Sequence, residues 1–441
     1  MPRRRMFRRT PPTTPTLPAV VTSKTAWLGL AAALLLVAVM LSVPGSGEDR
    51  GCAGARVTGW RAAEGMNAEL TRYGNDNARL DDWTGGDGTR TVRLPDGRTL
   101  WLSADTFLDE VYGGKSRKPN PVWVRNSGLV MSAEGRFQRT LLGGSESQPT
   151  AFFPGTATGD GREAWRWPVQ GVVEPRSPGS KEKVVRVLLW QREAGSPPWI
   201  FGVPRASEVA TLSLPDLKVE NIETIYEPQH TDVERRVLYG TSAITEGGWT
   251  YVFGADEGSV SGKPSRAHVA RAPEGRLADK DAWEYWGGAG RSTEGKASAG
   301  AKGLGWQRDP AKSVPILVGE TDQRGATGTY TVVRRGDTWL LMTMDAGGSG
   351  LTDVVSYWSC TPTGPWHGPT KVAVPPLPPG GKEAGAVPYN PQAHAEFDTS
   401  SGELLMSYDV NVMNNSSVIH QDVAYYRPRF LRLVTSPAKG K

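Results

Sequence analysis

The chain has 441 residues, which is enough for one large domain or two of ordinary size. Its formal net charge is +5, but residues 1–25 carry six basic side chains and no acidic one, so the remainder is close to neutral and gives no support to a nucleic-acid partner. Two cysteines and five scattered histidines lack the spacing of a zinc site, and we expect no cofactor and a monomer. Short apolar runs between turns that contain many of the 53 glycines and 34 prolines predict an all-β protein.

The N-terminal part of the chain predicts a membrane anchor. An uncharged run at residues 26–43 follows the basic leader of residues 1–25, and it is just long enough to cross a bilayer as a helix. The preceding positive charge places the leader in the cytoplasm and the rest outside. A cleaved signal segment and a secreted protein are the alternative, although no clear cleavage site follows the run.

The rest of the chain divides into three predicted segments. We expect a linker at residues 44–74, the folded domain at residues 75–433 and a tail at residues 434–441. Cys52 and Cys360 can form a disulfide in an oxidising compartment, and two unpaired thiols are the alternative.

A hairpin is predicted around Pro95-Asp96-Gly97, because proline, aspartate and glycine each favour a tight turn. On either side of it, alternating residues place Val92, Leu94, Leu100 and Leu102 on one face, which we expect to be the core side. If the loop has three residues, positions equally far from Asp96 are partners across the two strands. Asp87 and Asp105 are then directly opposed at the open end of the hairpin, on the face away from the leucines.

Two opposed aspartates have a chemical use. Directly opposed residues have β-carbons about 4.5 to 5.5 Å apart. A loop of two or four residues would instead make the acids diagonal neighbours, with α-carbons about 7 to 8 Å apart. Paired carboxyls can hold one proton at neutral pH, which supplies an acid and a base for glycoside hydrolysis. We therefore predict Asp87 and Asp105 as the catalytic residues, and we expect the flanking Asp82 and Asp109 to be solvated loop acids.

A repeated pattern predicts the architecture. A turn, an apolar strand and often an aspartate recur at residues 97–105, 183–190, 248–256, 336–345 and 402–409. Five such units predict a five-bladed β-propeller, whose closed ring leaves only short sheet edges, and two packed sandwich domains are the alternative. Asp256, Asp345 and Asp409 end equivalent strands and can be structural turn residues. The first unit is distinguished by the acidic partner opposite its aspartate.

Several other side chains are candidates for sugar binding, since aromatic rings stack on sugars and polar groups bond to hydroxyls. Each tryptophan among them can also be a core residue, and the histidine can equally be a buried, hydrogen-bonded group. The candidates are Trp83, Arg125, Asn126, Trp167, Gln170, Tyr389, Asn390 and His394. Glu174 could supply a third carboxylate from the second unit, or it could be a surface acid.

Four separated motifs resemble the actinobacterial propeller family known as domain of unknown function 4185. They are Asp96-Gly-Arg-Thr-Leu-Trp-Leu-Ser-Ala-Asp-Thr-Phe107, Val124-Arg-Asn-Ser127, Tyr239-Gly-Thr-Ser-Ala243 and Tyr426-Arg-Pro-Arg-Phe430. Some members of that family are endo-acting D-arabinanases of glycoside hydrolase family 183, which cut cell-wall arabinan. The resemblance implies a five-bladed propeller in which Asp87 and Asp105 match the two catalytic aspartates. The family often has glycine before the second aspartate, whereas this chain has Ala104, which could crowd the cleft.

The leading hypothesis is an extracellular, membrane-anchored glycoside hydrolase that cleaves a furanose polysaccharide, with endo-acting cleavage of cell-wall D-arabinan as the first expectation. The alternative is a non-catalytic propeller that binds cell-envelope glycans. A third hypothesis is a scaffold that binds a protein partner through one face of the propeller. The sequence contains no Gly-x-Ser-x-Gly elbow, P-loop, His-Glu-x-x-His or dinucleotide-binding glycine motif.

Overall fold

Antiparallel strands dominate the computed structural model, which describes residues 51–79, 81, 83–157, 161–289, 305–319, 326–345 and 352–438. The predicted leader and membrane anchor, residues 1–43, lie outside this part of the chain. Within it, no helix is both long enough and apolar enough to cross a membrane.

The described residues form 29 strands, two α-helices and six short 3-10 helices. The first strands are β1 (Arg56–Ala62), β2 (Trp83–Gly86), β3 (Arg90–Arg93), β4 (Thr99–Ser103), β5 (Thr106–Leu108), β6 (Val111–Tyr112), β7 (Ser116–Arg117), β8 (Trp123–Val124), β9 (Ser127–Met131), β10 (Phe137–Leu141), β11 (Gly143–Ser145), β12 (Gln148–Thr150), β13 (Thr156–Ala157), β14 (Glu163–Pro175), β15 (Lys183–Glu193), β16 (Val203–Leu212) and β17 (Val219–Tyr226). They are followed by β18 (Leu238–Glu246), β19 (Trp249–Ala255), β20 (Ala267–Pro273), β21 (Glu284–Trp286), β22 (Trp306–Gln307), β23 (Tyr330–Arg335), β24 (Thr338–Met344), β25 (Val354–Ser359), β26 (His367–Ala373), β27 (Val387–His394), β28 (Leu404–Asn411) and β29 (Arg429–Ser436). The α-helices are α1 (Glu64–Gly74) and α2 (Ser416–Gln421), and the 3-10 helices are Val233–Arg235, Gly258–Ser261, Lys280–Ala282, Pro310–Lys312, Ala395–Phe397 and Val423–Tyr426.

Five sheets of four or five strands account for most of these strands, and we number them in chain order. Sheet 1 contains β3, β4, β9 and β10; sheet 2 contains β13 to β17; sheet 3 contains β18 to β22; sheet 4 contains β23 to β26; and sheet 5 contains β27, β28, β29 and β1. Each repeated segment of the sequence lies in a different sheet, as β4, β15, β19, β24 and β28. The five predicted units therefore correspond to five separate sheets.

The five sheets contact one another in a circle. The strands β3, β14, β18, β23 and β27 touch in that order, and β27 also touches β3. Five clusters of buried apolar side chains fill the spaces between successive sheets, and the last of them joins sheet 5 to sheet 1. A sheet buried on both faces needs this nearly continuous apolar sequence, which is why the repeated strands are so rich in leucine, valine and tryptophan.

The two ends of the domain meet in sheet 5. Strand β1 pairs antiparallel with β29, from Arg56 opposite Ser436 to Ala62 opposite Leu431. The predicted linker at residues 44–74 and the predicted tail from residue 434 are therefore corrected, since the first holds β1 and α1 and β29 continues into the second. Local sequence could not show this because the hydrogen-bond partners of β1 lie at the other end of the chain. A disulfide joins Cys52, before β1, to Cys360, after β25.

The predicted hairpin around Asp96 is confirmed in its register. Val92 pairs with Leu100 in β3 and β4, and Gly86 pairs with Thr106 in β2 and β5, so both strand pairs are centred on Asp96. The loop has three residues, because the backbone N–H of Leu94 bonds to the carbonyl of Arg98 at 2.9 Å. Gly97 adopts a positive φ of 88°, which a side chain would disfavour. The four predicted apolar residues lie together in the cluster between sheets 1 and 2.

Candidate active site

Asp87 and Asp105 lie opposite each other where the hairpin strands part. The backbone N–H of Asp87 bonds to the carbonyl of Asp105 at 3.3 Å, and the N–H of Ala104 bonds to the carbonyl of Asp87 at 2.7 Å. Both residues are half-buried. The hairpin therefore brings two carboxyl groups together in a partly enclosed place, as its register predicts.

Asp87 is surrounded by groups from sheet 5 and from the segment between β28 and β29. The hydroxyl of Tyr389 donates a hydrogen bond to Asp87 Oδ2 at 2.8 Å, and the hydroxyl of Tyr426 donates a second bond to the same carboxyl. Burial raises the pKa of Asp87 to about 6, while the two phenols and the buried guanidinium of Arg90 oppose this rise. The Asp87 carboxyl is therefore ionised at neutral pH.

Asp105 is in contact with sheet 2 instead. The indole N–H of Trp167 donates to Asp105 Oδ1 at 2.9 Å, and Arg125 Nη1 lies 3.8 Å from Oδ2. Burial, and after it the negative charge of Asp87, raises the pKa of Asp105 to about 7. The side chain is 20% exposed, so a proton on it can reach a ligand.

Asp409, at the end of β28, adds a third carboxyl to the pair. Its Oδ2 accepts hydrogen bonds from the backbone N–H of Gly88 at 2.7 Å and from Asn390 Nδ2 at 3.0 Å. The residue is only 2% exposed. Burial and then the charge of Asp87 raise the pKa of Asp409 to about 8, so this carboxyl is protonated at neutral pH. Sequence reasoning treated it as a turn residue, because its neighbourhood depends on sheet 5 meeting sheet 1.

Glu174, the predicted third carboxylate, lies elsewhere. It is completely buried on β14, pairs with Arg186 at 3.0 Å and accepts backbone hydrogen bonds from Gly275 at 2.8 Å and Leu277 at 3.2 Å. These bonds fasten sheet 2 to the turn after β20. The prediction is corrected: Glu174 is neither a surface acid nor a neighbour of the aspartate pair.

Two predicted sugar contacts belong to the interior. Trp83 has no exposed surface and packs in the cluster between sheets 5 and 1. Asn126 is also completely buried; its Nδ2 donates to the carbonyls of Phe153 and Arg166, both at 2.9 Å. Both predictions are corrected, because the bulky indole fills a core gap and the amide joins loop backbone to β14.

His394 is likewise an internal residue, which was the alternative at the sequence level. Its ring nitrogens bond to Thr91 Oγ1 at 2.8 Å and Ser407 Oγ at 2.7 Å. The ring also packs against Trp101 with centroids 5.1 Å apart. Burial lowers the pKa of His394 to about 3, so the imidazole stays neutral and joins sheet 5 to sheet 1.

Four of the remaining candidates contact the carboxyls, and the fifth lies on the same strand as one of them. Arg125, Trp167 and Tyr389 contact the pair directly as described above, and Asn390 contacts it through Asp409. Gln170 is half-buried on the strand of Trp167, and among the described residues it makes no hydrogen bond to the three carboxyls. Sequence reasoning missed Arg90 and Tyr426 as site residues, although Tyr426 begins one of the four family-like motifs.

A cavity of about 680 Å³ lies farther along the segment that leaves the hairpin. Leu108, Asp109, Val122 and Gln138 contribute to its lining, whereas none of the three aspartates does. Asp109 forms an ion pair with Lys118, which corrects the expectation of a solvated acid; Asp82 lies outside the described residues. The described residues contain no group of three or more histidine, cysteine, aspartate or glutamate side chains suited to a metal ion.

Several solved structures match this chain over most of its length. A protein from Bacteroides ovatus ATCC 8483 named as a "putative hydrolase" has a TM-score of 0.62 and 19% identity, over 84% of this chain and 89% of that one. An α-L-arabinofuranosidase from Podospora anserina has a TM-score of 0.43 and 9% identity, over 82% and 93% of the two chains. An exo-β-1,3-galactanase from Clostridium thermocellum has a TM-score of 0.42 and 10% identity, over 88% and 64%. The described part of the chain is all-β and propeller-like, because its five large sheets contact one another in a circle.

The family comparison covers most of the chain. No curated protein matches the sequence. The similarity to domain of unknown function 4185 and glycoside hydrolase family 183 is not confirmed. The family that matches, over residues 70–435, is described as a domain of unknown function (DUF5005). That match spans well over half of the sequence and includes every residue of the three-carboxyl cluster. The chain therefore belongs to the DUF5005 family.

Proposed function

We propose that this protein is a glycoside hydrolase with a five-bladed β-propeller fold, in which Asp87 and Asp105 form the catalytic pair. The observation that carries the proposal is the difference between these two facing carboxyls. One accepts hydrogen bonds from two phenols and is ionised, whereas the other has a pKa raised by burial and by its neighbour's charge. A glycosidic bond needs such a pair, because one group protonates the leaving oxygen while the other supplies negative charge or activates water.

The environments assign a role to each residue. Asp105 is the general acid, since its proton is kept to about pH 7 and part of its side chain is exposed. Asp87 is the negatively charged partner, either as a base toward water or as a nucleophile, because its two phenol donors stabilise the carboxylate. The anomeric configuration of the product distinguishes these two ways of acting.

Asp409 and Arg90 hold the ionised partner in place. Asp409 fixes the backbone of Gly88, the residue after Asp87, through a 2.7 Å hydrogen bond. Arg90 is buried, and its Nε donates to the carbonyl of Val169 at 2.8 Å, which ties sheet 1 to sheet 2. Its charge partly offsets the negative charge of Asp87. Neither side chain needs to contact substrate to affect the reaction.

The substrate and the location are part of the proposal. A furanose polysaccharide, with cell-wall D-arabinan as the first choice and endo-acting cleavage, follows from the four family-like motifs. The protein is proposed to act outside the cytoplasm, anchored by residues 26–43 or secreted, as a monomer. The disulfide between Cys52 and Cys360 supports an oxidising compartment.

Product release from purified arabinogalactan tests the proposal. We expect the full-length protein to release oligosaccharides, and Asp87→Asn and Asp105→Asn each to lower the rate by at least about a hundredfold, as loss of a general acid or base does. Asp96→Asn is the matched control, because Asp96 lies in the same hairpin but at its exposed turn, bonded to Arg98. Its rate should equal that of the wild type.

A different result would favour the alternative function. If the wild type is folded and retained on the glycan but releases no product, the protein is a glycan-binding propeller. If the two aspartate variants and the control all release product at the wild-type rate, hydrolysis takes place elsewhere in the molecule.

A further inference from the structure

A group of aromatic and charged side chains lies beside Asp105. We call it the Trp123 platform; its members are Trp123, Arg125, Glu163 and Trp165. The Arg125 guanidinium lies 4.4 Å from the ring centroid of Trp123 and 4.0 Å from that of Trp165. Arg125 is therefore held between two indoles, next to the proposed acid.

Glu163 fixes the orientation of this arginine. Arg125 Nε and Nη2 each donate to one Glu163 carboxylate oxygen at 3.0 Å. A bidentate pair of this kind fixes the plane of the guanidinium. The side chain of Glu163 is nevertheless 56% exposed, so its oxygens can still accept hydrogen bonds from a ligand.

Trp123 has surface to offer a ligand. The residue is 41% exposed, although Arg125 covers one face of its ring. It lies on the short strand β8, where it pairs with Phe107, two residues after Asp105. An indole that is partly exposed and has charged groups beside it offers both an apolar surface and hydrogen-bonding partners, the combination found in small-ligand sites.

The platform lies beside the proposed general acid, and this position determines which sugar of the substrate it can contact. A general acid protonates the oxygen of the leaving sugar, so that sugar lies on the acid's side of the bond being cleaved. Asp87, by contrast, accepts hydrogen bonds from Tyr389 and Tyr426. Arg125, which touches both Asp105 and Trp123, connects the acid to the platform.

We propose that the exposed surface of Trp123 binds a sugar residue on the leaving-group side of the cleaved bond, with Arg125 and Glu163 bonding to its hydroxyls. This inference rests on the proposed function for the direction in which the glycan chain lies. It specifies a glycan in which the leaving group is itself a sugar residue. Val122, the residue before Trp123, also lines the cavity of about 680 Å³ described above, which offers space for further sugars of a longer chain.

Binding to a protein that does not turn over its ligand tests the platform separately from catalysis. The full-length Asp87→Asn protein is titrated with a linear arabinofuranose hexasaccharide, alone and with Trp123→Ala, Trp123→Phe or Trp60→Ala added. We expect Trp123→Ala to weaken binding about tenfold, as loss of an aromatic anchor does. Trp123→Phe keeps a ring and should retain most of the affinity. Trp60 is the control because it is also 41% exposed but lies on β1 in sheet 5.

The outcomes separate the platform from the proposed function. Equal affinities for Trp123→Ala and Trp60→Ala, or no hexasaccharide binding by the parent Asp87→Asn protein, overturn the platform. Binding that depends on Trp123, in a protein whose wild type releases no product, keeps the platform and removes the hydrolase. A thermal melt of each variant identifies any loss of affinity that comes from unfolding. If Trp123→Ala is unfolded, the affinity of Trp123→Phe is compared with that of the parent protein instead.

Discussion

The two sides of the hairpin that carries Asp87 and Asp105 differ in what surrounds their carboxyls. On the side of sheet 5, Asp87 is enclosed by two phenols and by Asp409, whose own carboxyl is fully buried. On the side of sheet 2, Asp105 meets one indole and a guanidinium that is already paired with Glu163, and it keeps contact with solvent. The two residues are the same amino acid at mirror positions of one hairpin.

This difference shows that a propeller-like ring can give unlike properties to chemically identical groups. A different neighbouring sheet supplies a hydrogen-bond donor to each acid: Tyr389 of sheet 5 bonds to Asp87 and Trp167 of sheet 2 bonds to Asp105. Hydrogen-bond donors favour the carboxylate of Asp87, while the negative charge of Asp87 favours the protonated form of Asp105. The hairpin supplies proximity and the neighbouring sheets supply the difference in pKa.

Among the groups that surround the two carboxyls, the largest effect is expected from removing the phenols on the Asp87 side. In the double variant Tyr389→Phe, Tyr426→Phe, two hydrogen bonds to the carboxylate are lost, so the pKa of Asp87 rises from about 6. Asp87 then becomes protonated at a higher pH, and the acidic limb of the rate profile should move upward by about one pH unit or more. The rate at pH 6 should fall about tenfold.

The control for this change is Tyr408→Phe. Tyr408 is also buried in sheet 5, but its hydroxyl donates to the carbonyl of Pro376 at 2.6 Å instead of to an aspartate. An acidic limb that moves equally in both proteins would show that the phenols have no specific effect on Asp87.

A smaller effect is expected on the other side of the hairpin, from Glu163→Gln. Without the negative charge of Glu163, Arg125 is free to move from 3.8 Å into direct contact with Asp105. The positive charge favours the carboxylate, so the pKa of Asp105 falls below about 7 and its catalytic proton is lost at a lower pH. The alkaline limb should move downward by about half a pH unit, as measured by initial rates from pH 5 to pH 9.

A comparable exposed pair serves as the control. Glu182 pairs with Arg176 at 2.8 Å, far along the chain from the hairpin, and Glu182→Gln should leave both limbs unchanged. An unchanged alkaline limb in Glu163→Gln would mean that Arg125 does not move toward the acid.

The smallest expected effect is on stability, and it measures the contribution of Asp409 to the pH dependence of unfolding. The pKa of this carboxyl is raised in the folded protein from 3.8 to about 8. The folded state therefore binds a proton that the unfolded state releases between these values, and the free energy of unfolding falls as the pH rises through that window. Asp409→Asn removes this contribution while keeping an oxygen acceptor for Gly88.

We expect the melting temperature of Asp409→Asn to fall by a few degrees less than that of the wild type between pH 5 and pH 8. Asp96→Asn is the control, because pairing with Arg98 lowers the pKa of Asp96 and keeps it ionised throughout this range. Parallel melting curves for wild type and Asp409→Asn would contradict the assigned proton on Asp409.

The sequence was sufficient wherever the interaction is local. The turn at Asp96 determines the register of its own hairpin, so the pairing of Asp87 with Asp105 follows from counting along the two strands. The five repeated segments could be recognised for the same reason, since each strand has its own alternating pattern and its own turn.

Contacts between different sheets could not be predicted from the local sequence. Asp256 and Asp409 end equivalent repeats, yet Asp256 accepts hydrogen bonds from Arg235 at 2.9 Å and from the backbone N–H of Arg266 at 2.8 Å. It is a structural turn residue, whereas Asp409 faces Asp87 because the last sheet adjoins the first. Only knowledge of the ring closure distinguishes these two aspartates. The burial of Glu174 likewise depends on Gly275 and Leu277, about a hundred residues away in the chain.

The closure of sheet 5 by β1 also affects the order of folding. Among the described strands, β1 is the first to be synthesised and its partner β29 is the last. Cys360 precedes β27, so the bond to Cys52, across 308 residues, can form before the final three strands are complete. It would hold β1 beside β25 and β26, which it contacts in the finished domain. The covalent link shortens the search that the last strands must make, because closing a long loop is the slow step for distant strand pairs.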